Sequence, residues 1–297
     1  MAIYFTHQKS LNVMVVFLFS RLYKIYIFAT ESPPPQSGLV TAATDGRLNF
    51  WSLANLRDPA ESISVGANIS CLAVAPESNT LICGDEIGGL HTILASTDAS
   101  ATATSGASSR RTVRRIDAGP DSGHFGMVTG VSAKVAPSGA GGLIARGFLR
   151  GASGLVLTCG VDWTTRLWAP AYADEPLLTL PSHSYDYMSD VQWSPSHPSI
   201  FATASSSGAL GFWNLAASLD EPITGSEGIV VELDGPSSQV PRGLNKIRWS
   251  QDGRRIAAAS SDRLHVISVS DDISKPKADD EVNMMDNLTA RGLLDEL

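Results

Sequence analysis

The chain has 297 residues, of which 43% are hydrophobic and 18% charged, and its formal net charge is −8. This length allows one or two domains with a sizeable core, and the low charge with abundant Gly and Pro favours short strands joined by turns. Because phosphate binding needs a positive surface, the negative charge argues against nucleic acid as the main partner. Cys71, Cys83 and Cys159 are scattered without metal-ligand spacing, which predicts small buried residues in a reducing compartment.

Residues 1–37 differ from the rest of the chain, and we expect an atypical N-terminal segment that lies outside the repeats of residues 38–270. The apolar runs 11–20 and 25–29 are each too short to span a bilayer, and two cations separate them. No small-residue cleavage site follows, as a signal peptide would require. Three interpretations stay open: a buried strand or irregular segment, a start that does not belong to the functional protein, and a membrane or secretory signal. Membrane contact is not expected.

From residue 38 to residue 270, short runs of alternating apolar residues recur with turn residues between them. Each repeat has three such runs, which is the pattern of antiparallel strands. The third runs end at Trp51, Ile93, Trp168, Trp213 and Ile267. The shorter intervals between them match the roughly 40–45 residues of a four-stranded propeller blade. The sequence therefore predicts an all-β fold with about five recognisable blades.

Two insertions explain the long interval before Trp168, at about residues 96–122 and 138–153. The first is of low complexity and contains a small basic cluster of four arginines, namely Arg110, Arg111, Arg114 and Arg115. We expect a solvated, disordered insert between blades. The alternative is a regulatory contact or a contact with an anionic partner.

One repeat keeps a full set of polar residues at fixed spacing. The letters GVDWTTRLW place Asp162 in the turn between the second and third strands, with Thr158 before it and Trp168 after it. His124 lies upstream, shortly before the first strand. This pattern resembles the WD-repeat β-propeller, and the resemblance implies that the four side chains form one hydrogen-bonded network inside a blade. A buried carboxylate needs such partners, because burying it without hydrogen bonds is costly.

Other repeats keep parts of this set. Thr41, Asp45 and Trp51 keep three positions in the first repeat, and Thr203 and Trp213 keep two in the fourth. We expect no catalytic, cofactor or metal site. The hydroxyl beside the His and Asp would be buried, the six histidines lack ligand spacing, and neither GxSxG nor a phosphate-binding loop occurs.

The tail from residue 271 to residue 297 is predicted to be an acidic linker followed by a C-terminal helix. Met285, Leu288, Leu294 and Leu297 recur at helical spacing. We expect this helix to dock on the propeller or on a neighbouring chain.

Four stretches in order are more specific than any single repeat. They are TDGRLNFW (44–51), VDWTTRLW (161–168), DVQWSPSHPSIFA (190–202) and LNKIRWSQDGRRIA (244–257). Together they resemble the C-terminal WD-repeat domain of cytoplasmic dynein intermediate chains, over roughly residues 38–297.

This resemblance implies a non-catalytic scaffold subunit of the cytoplasmic, microtubule-associated dynein complex, whose propeller binds the tail of the dynein heavy chain. The family carries a long N-terminal extension that residues 1–37 do not resemble, so direct binding of light chains or dynactin is not expected. The family's propeller has about seven blades, so we expect an incomplete ring. The alternative is a generic WD-repeat adaptor in a trafficking or chromatin complex.

Overall fold

A computed structural model describes residues 6–8, 11–13, 24–28, 38–52, 55–75, 80–94, 111–116, 122–134, 154–170, 172–182, 185–223 and 243–293. These residues form five antiparallel β-sheets that follow one another along the chain, a short hairpin and two helices. Consecutive small sheets packed face to face are the architecture of a β-propeller. The predicted all-β propeller is confirmed, whereas its membership of a ring of about seven blades stays a prediction.

Each sheet is built in chain order, so neighbouring strands are also consecutive in sequence. The hairpin consists of β1 (Thr6–Gln8) and β2 (Leu11–Val13). The first sheet consists of β3 (Lys24–Phe28), β4 (Gly38–Ala42), β5 (Arg47–Ser52) and β6 (Glu61–Ser64). The second consists of β7 (Ile69–Ala75), β8 (Thr80–Asp85), β9 (Leu90–Leu94) and β10 (Val113–Arg115). The third consists of β11 (Val128–Ala133), β12 (Val156–Gly160), β13 (Thr164–Trp168) and β14 (Leu178–Pro181).

In the described part of the chain, the last two sheets have three strands each. The fourth consists of β15 (Met188–Trp193), β16 (Ile200–Ser205) and β17 (Leu210–Asn214). The fifth consists of β18 (Lys246–Trp249), β19 (Arg255–Ala259) and β20 (Leu264–Ser268).

Alternating side chains of each sheet fill the cores on its two sides. In β8, Leu81 packs into the core shared with the first sheet and Ile82 into the core shared with the third, and both are fully buried. Cys71, Cys83 and Cys159 are free thiols buried in these layers, as the sequence predicted. Burial raises the pKa of the Cys159 thiol to about 12, so this side chain behaves as a small apolar residue.

Hydroxyl groups join the first strands of successive sheets. Ser70 lies at a β-bulge of β7, and its hydroxyl donates to the carbonyl of Val128 in β11 (2.5 Å). Thr129 lies at the matching bulge of β11 and donates to the carbonyl of Met188 in β15 (2.5 Å). A bulge leaves one residue outside the strand ladder, so its side chain is free to bond to the next sheet.

The structure corrects the expected start of the propeller at residue 38. Lys24–Phe28 forms β3, which pairs with β4 from Lys24 opposite Ala42 to Phe28 opposite Gly38. Of the three interpretations given for residues 1–37, a strand is the one that applies to Lys24–Phe28. Lys24 is one of the two cations between the apolar runs, and it is the first residue of this strand. The stretch 29–37 lies outside the described residues.

Part of the expected insert 96–122 is also a strand. Val113–Arg115 forms β10, the outer strand of the second sheet, and Ile116 directly after it is buried. An outer strand is paired on one side only and tolerates charged residues, which concealed β10 within the polar stretch. The ranges 95–110 and 117–121 lie outside the described residues, as does the second expected insertion.

Two arginines of the basic cluster contact acidic residues of this chain. Arg111 pairs with Glu61, and its guanidinium lies 3.8 Å above the centre of the Phe50 ring. Arg114 pairs with Asp174. These contacts join neighbouring sheets, and they reduce the positive charge that an anionic partner could use.

Two helices follow the fifth sheet, α1 (Asp271–Ser274) and α2 (Asp280–Ala290). The expected linker is thus partly helical. Gly292 has a positive φ of 68°, and the amide of Leu293 bonds back to the carbonyl of Leu288, which ends α2 as glycine commonly does. None of the helices in the described residues is long and apolar enough to cross a membrane.

Helix α2 docks on the propeller, which is one of the two alternatives given by the sequence. Met284, Met285 and Leu288 are buried in the core between the third and fourth sheets. The imidazole of His197 in the fourth sheet lies 3.0 Å from the carboxylate of Asp280 at the start of the helix. The other two residues of the predicted apolar stripe, at positions 294 and 297, lie outside the described residues.

Replacing Asn287 with alanine is expected to weaken this docking by about 1 kcal/mol. The Asn287 amide donates to the carbonyls of Leu215 and Ala216, both at 3.0 Å, and the variant leaves both without this donor. Hydrogen exchange of the α2 amides should become faster. Asn283, one turn earlier and exposed, is the matched control: if N283A accelerates exchange as much as N287A, the two hydrogen bonds do not hold the helix.

Candidate functional site

The turn between β12 and β13 brings together the polar residues singled out by the sequence. Thr158 on β12 and Trp168 on β13 lie on the same face of the third sheet, because Thr158 pairs with Arg166, two residues before Trp168. His124 lies in the segment that leads into β11. Its amide donates to the carbonyl of Gly88 in the second sheet (3.0 Å), which fixes this segment against the neighbouring blade.

The four side chains form one continuous chain of hydrogen bonds. The Trp168 indole donates to the Thr158 hydroxyl (2.8 Å), which lies 2.7 Å from Nε2 of His124. Nδ1 of His124 lies 2.9 and 3.0 Å from the two carboxylate oxygens of Asp162. The carboxylate can only accept, so Nδ1 carries the proton, and the Thr158 hydroxyl donates its own proton to Nε2.

Asp162 is the charged end of this network, and its environment keeps it ionised. Its carboxylate accepts from the Phe125 amide (3.1 Å) and the Thr164 hydroxyl (2.9 Å), and the Arg166 guanidinium lies 3.4 Å away. Burial alone would raise the pKa of Asp162, but the hydrogen bonds, led by His124, lower it to about 2. Burial lowers the pKa of His124 despite the neighbouring carboxylate, so the imidazole is neutral, in agreement with the proton positions.

This arrangement joins the strands of the blade through all four polar side chains. The Thr158 side chain is fully buried and its hydroxyl is used by both Trp168 and His124. Both ring nitrogens of His124 also take part in these hydrogen bonds. Across the described ranges, no three His, Cys, Asp or Glu side chains group as metal ligands do.

The other predicted sets are brought together only in part. The Trp51 indole donates to the Thr41 hydroxyl (3.0 Å), and the Trp213 indole donates to the Thr203 hydroxyl (3.3 Å). These pairs repeat the Trp168–Thr158 contact in the first and fourth sheets.

Asp45 does not join the first of these pairs, which corrects the expectation of a three-membered set. It is exposed, and its carboxylate accepts from the backbone amide of Arg47 (3.0 Å). No imidazole reaches Asp45 among the described residues, so nothing bridges it to Thr41. A short acidic side chain then bonds to its own turn, as Asp commonly does.

The second sheet contains a buried hydrogen-bonded pair of an aspartate and a histidine that the repeat spacing did not predict. Asp85 is fully buried, its carboxylate lies 2.8 Å from Nε2 of His91, and it accepts from the amides of Ile87 and Gly89. Burial would raise the pKa of Asp85, but these bonds lower it. Asp85 and His91 occupy the positions of Gly160 and Arg166 in the third sheet, not those of Asp162 and His124. The spacing of His124, Thr158, Asp162 and Trp168 therefore does not predict this pair.

A second missed set joins three sheets. Asp190 at the start of the fourth sheet is fully buried, and its carboxylate accepts from the amide of Ile247 (3.1 Å) and the guanidinium of Arg248 (3.0 Å) in the fifth. The Lys246 ammonium lies 3.3 Å from Asp190 and donates to the carbonyl of Thr129 in the third sheet (3.0 Å). These partners are distant in sequence, so no local motif indicates them.

Comparison with protein families matches residues 174–214 to the WD domain, G-beta repeat. The cytoplasmic dynein 1 intermediate chain of Drosophila melanogaster is 27% identical over 269 residues, which cover 87% of this chain and 34% of that protein. The chain contains a WD repeat and resembles a cytoplasmic dynein intermediate chain. The resemblance predicted from the sequence motifs is confirmed, and the chain spans about a third of this relative's length.

The matched WD repeat is offset from the sheets. It includes β14, the outer strand of the third sheet, together with β15, β16 and β17 of the fourth. Leu178 and Leu180 of β14 accordingly lie in the core between the two sheets. Each such repeat completes the sheet before it, which couples the stability of neighbouring blades.

Proposed function

We propose that this chain is a non-catalytic scaffold subunit of cytoplasmic dynein, which binds the tail of the dynein heavy chain through its propeller in microtubule-based transport. The proposal places the chain in the cytoplasm, on microtubules. The observation that carries it is the similarity to a dynein intermediate chain over 87% of the chain.

The structure supports a scaffold role because its buried charged residues bond to other groups of the same chain. The buried charges Asp85, Asp162 and Asp190 all bond to groups of this chain, within a sheet or between sheets. They stabilise the propeller and are not accessible to a partner. Binding must then use exposed loops and turns, as is usual for rigid scaffolds.

A pull-down tests the proposal. The tagged full chain, shown by circular dichroism to be folded, is incubated with a purified heavy-chain tail fragment and, separately, with purified light chains. We expect the tail to be retained. Light chains should not be retained, because the resemblance concerns the propeller and not the light-chain-binding extension.

The control is the same incubation with resin that carries no chain. It measures how much tail the resin alone retains. If the folded chain retains no tail, the dynein proposal is contradicted, and a generic WD-repeat adaptor becomes the better hypothesis.

A further inference from the structure

The third strand of the fifth sheet has an open edge. In each of the first three sheets a fourth strand pairs with the third strand, namely β6, β10 and β14. In the fifth sheet the chain continues from β20 into α1 and α2, and among the described strands β20 pairs with β19 alone. The side of β20 that points away from β19 is called the open edge below.

The register of the fifth sheet shows which backbone groups form the open edge. The amide of Ser260 donates to the carbonyl of Arg263 (2.9 Å). The amide of Val269 donates to the carbonyl of Arg254 (2.8 Å). Hydrogen-bonded and non-hydrogen-bonded positions alternate along an antiparallel strand, so the odd-numbered residues of 263–269 bond toward β19. The even-numbered residues direct their N–H and C=O groups outward, and they are Leu264, Val266 and Ser268.

Apolar side chains of β20 are also exposed. Leu264 is 58% and Val266 63% exposed. Ile267 packs against the core shared with the fourth sheet, so Leu264 and Val266 lie on the other face of the fifth sheet. The corresponding face of β17 carries Leu210 and Phe212, which are both buried against the fifth sheet. The strand β20 therefore joins outward backbone groups to apolar side chains that are buried elsewhere in the propeller.

The strand β20 lacks the features that protect natural sheet edges. Such edges carry charged side chains, proline or a bulge, which hinder pairing with another strand. The outer strand β10 contains Arg114 and Arg115, and the outer strand β14 ends at Pro181. In contrast, β20 reads LHVIS, without proline or any Asp, Glu, Lys or Arg, and it pairs with β19 without a register shift. Its sequence is that of a strand paired on both sides.

A second copy of β20 is complementary to the open edge. If two such strands pair antiparallel with Val266 opposite Val266, Leu264 of each copy lies opposite Ser268 of the other. All these pairs are hydrogen-bonded pairs, because the outward groups of one strand meet those of the other. This register uses every outward residue of both strands. An interface with this symmetry presents the same surface on both copies and closes at a dimer.

The charges beside the open edge are compatible with this register. Asp262 of one copy lies opposite Ser270 of the other, and Arg263 lies opposite Val269. Like charges directly opposite each other would destabilise the pair, and this register places none of them so. The chain itself thus supplies a strand that matches the edge in hydrogen bonding, apolar contact and charge.

We propose that two copies of this chain associate through β20, whose open edges pair antiparallel around a twofold axis at Val266. The two fifth sheets then form one continuous sheet across the dimer. Leu264 and Val266 of both copies form an apolar row on one face of that sheet. The inference does not depend on the proposed function, because the dimer can form whether or not the chain binds the heavy-chain tail.

The first experiment measures the mass of the full chain by sedimentation velocity over a range of concentrations. Wild type should change from monomer to dimer as its concentration rises. Val266→Lys places two like charges opposite each other on the axis, so the dissociation constant of the dimer should rise by about tenfold or more. Leu56→Lys is the control, since Leu56 is equally exposed but lies between β5 and β6. Circular dichroism should show both variants folded, because both positions are exposed.

The second experiment tests the register by cysteine cross-linking of the full chain. Residues of a hydrogen-bonded antiparallel pair have Cα atoms about 5.5 Å apart, which a disulfide can span. Oxidised V266C should therefore form a covalent dimer on a non-reducing gel. L264C alone should not, because it faces Ser268 of the other copy, whereas the double variant L264C/S268C should. The three native thiols are buried, and wild type is the control for their reaction.

The outcomes decide the proposal. A wild type that stays monomeric at every concentration overturns it, and a strand from another protein then becomes the better occupant of the open edge. A dimer that V266K leaves intact also overturns it, because association then uses another surface. Capture of L264C as efficiently as V266C contradicts the register on which the proposal depends.

Discussion

Replacing Trp168 with alanine is expected to lower the free energy of unfolding by about 3–5 kcal/mol. The Trp168 side chain is fully buried in the core between the second and third sheets, together with Ile82 and Val156. Alanine leaves a large cavity there, because neighbouring side chains relax only partly into the space. It also removes the indole donor of the Thr158 hydroxyl.

Trp51→Ala is the matched control for W168A. Trp51 has the same position in the first sheet and the same bond to a threonine hydroxyl, but it is only half-buried. Urea unfolding followed by circular dichroism gives both changes in stability. We expect W51A to lose clearly less than W168A, and equal losses would mean that burial between two sheets does not set the contribution of Trp168.

The blade network of the third sheet could be predicted from the sequence because its geometry is local. A tight turn fixes the distance from Thr158 to Asp162, and a strand of defined length fixes Trp168. Only His124 comes from further away, and it lies just before the first strand of the same sheet. The sequence spacing therefore carries nearly the whole arrangement.

The missed residues fail this condition in two ways. Asp190 bonds to Arg248 and Lys246, and the contact depends on how the fourth and fifth sheets pack, which no spacing records. Asp85 and His91 are close to each other in sequence, but they do not occupy the blade positions of Asp162 and His124. The buried carboxylate of Asp85 therefore has a different set of hydrogen-bond partners. A search for any buried acid with a histidine six residues later would have found this pair.

Strands were predicted less well where apolar and polar residues do not alternate along the sequence. β10 is polar because it lies at the edge of its sheet, and β3 lies in a stretch that also resembled a membrane or secretory signal. Both are recognised only by their pairing with a neighbouring strand. The propeller is therefore predictable in its repeated interior strands and much less so at its margins.

The contribution of Asp162 to stability is expected to depend on pH in a defined direction. Its pKa in the folded chain is about 2, below the ordinary value of 3.8. Between these values the unfolded chain binds a proton that the folded chain does not, so the stabilisation of about 2 kcal/mol is complete above about pH 4 and is lost as the pH falls toward about 2. His124, whose pKa is also lowered, adds a loss in the same direction that begins below its ordinary value of 6.5.

Asp162→Asn removes the titrating carboxylate and identifies its part of this profile. At neutral pH the variant should be less stable by about 1–3 kcal/mol, because His124, Thr164 and the Phe125 amide lose a charged acceptor. The difference from wild type should shrink as the pH falls below about 4, since wild-type Asp162 then becomes protonated in the unfolded chain. Asp45→Asn, at the equivalent but exposed position of the first sheet, is the matched control, and it should lose less stability than Asp162→Asn at neutral pH. Urea unfolding at a series of pH values measures all three chains, and a difference between wild type and D162N that stays constant below about pH 4 would show that Asp162 does not have the lowered pKa on which this network depends.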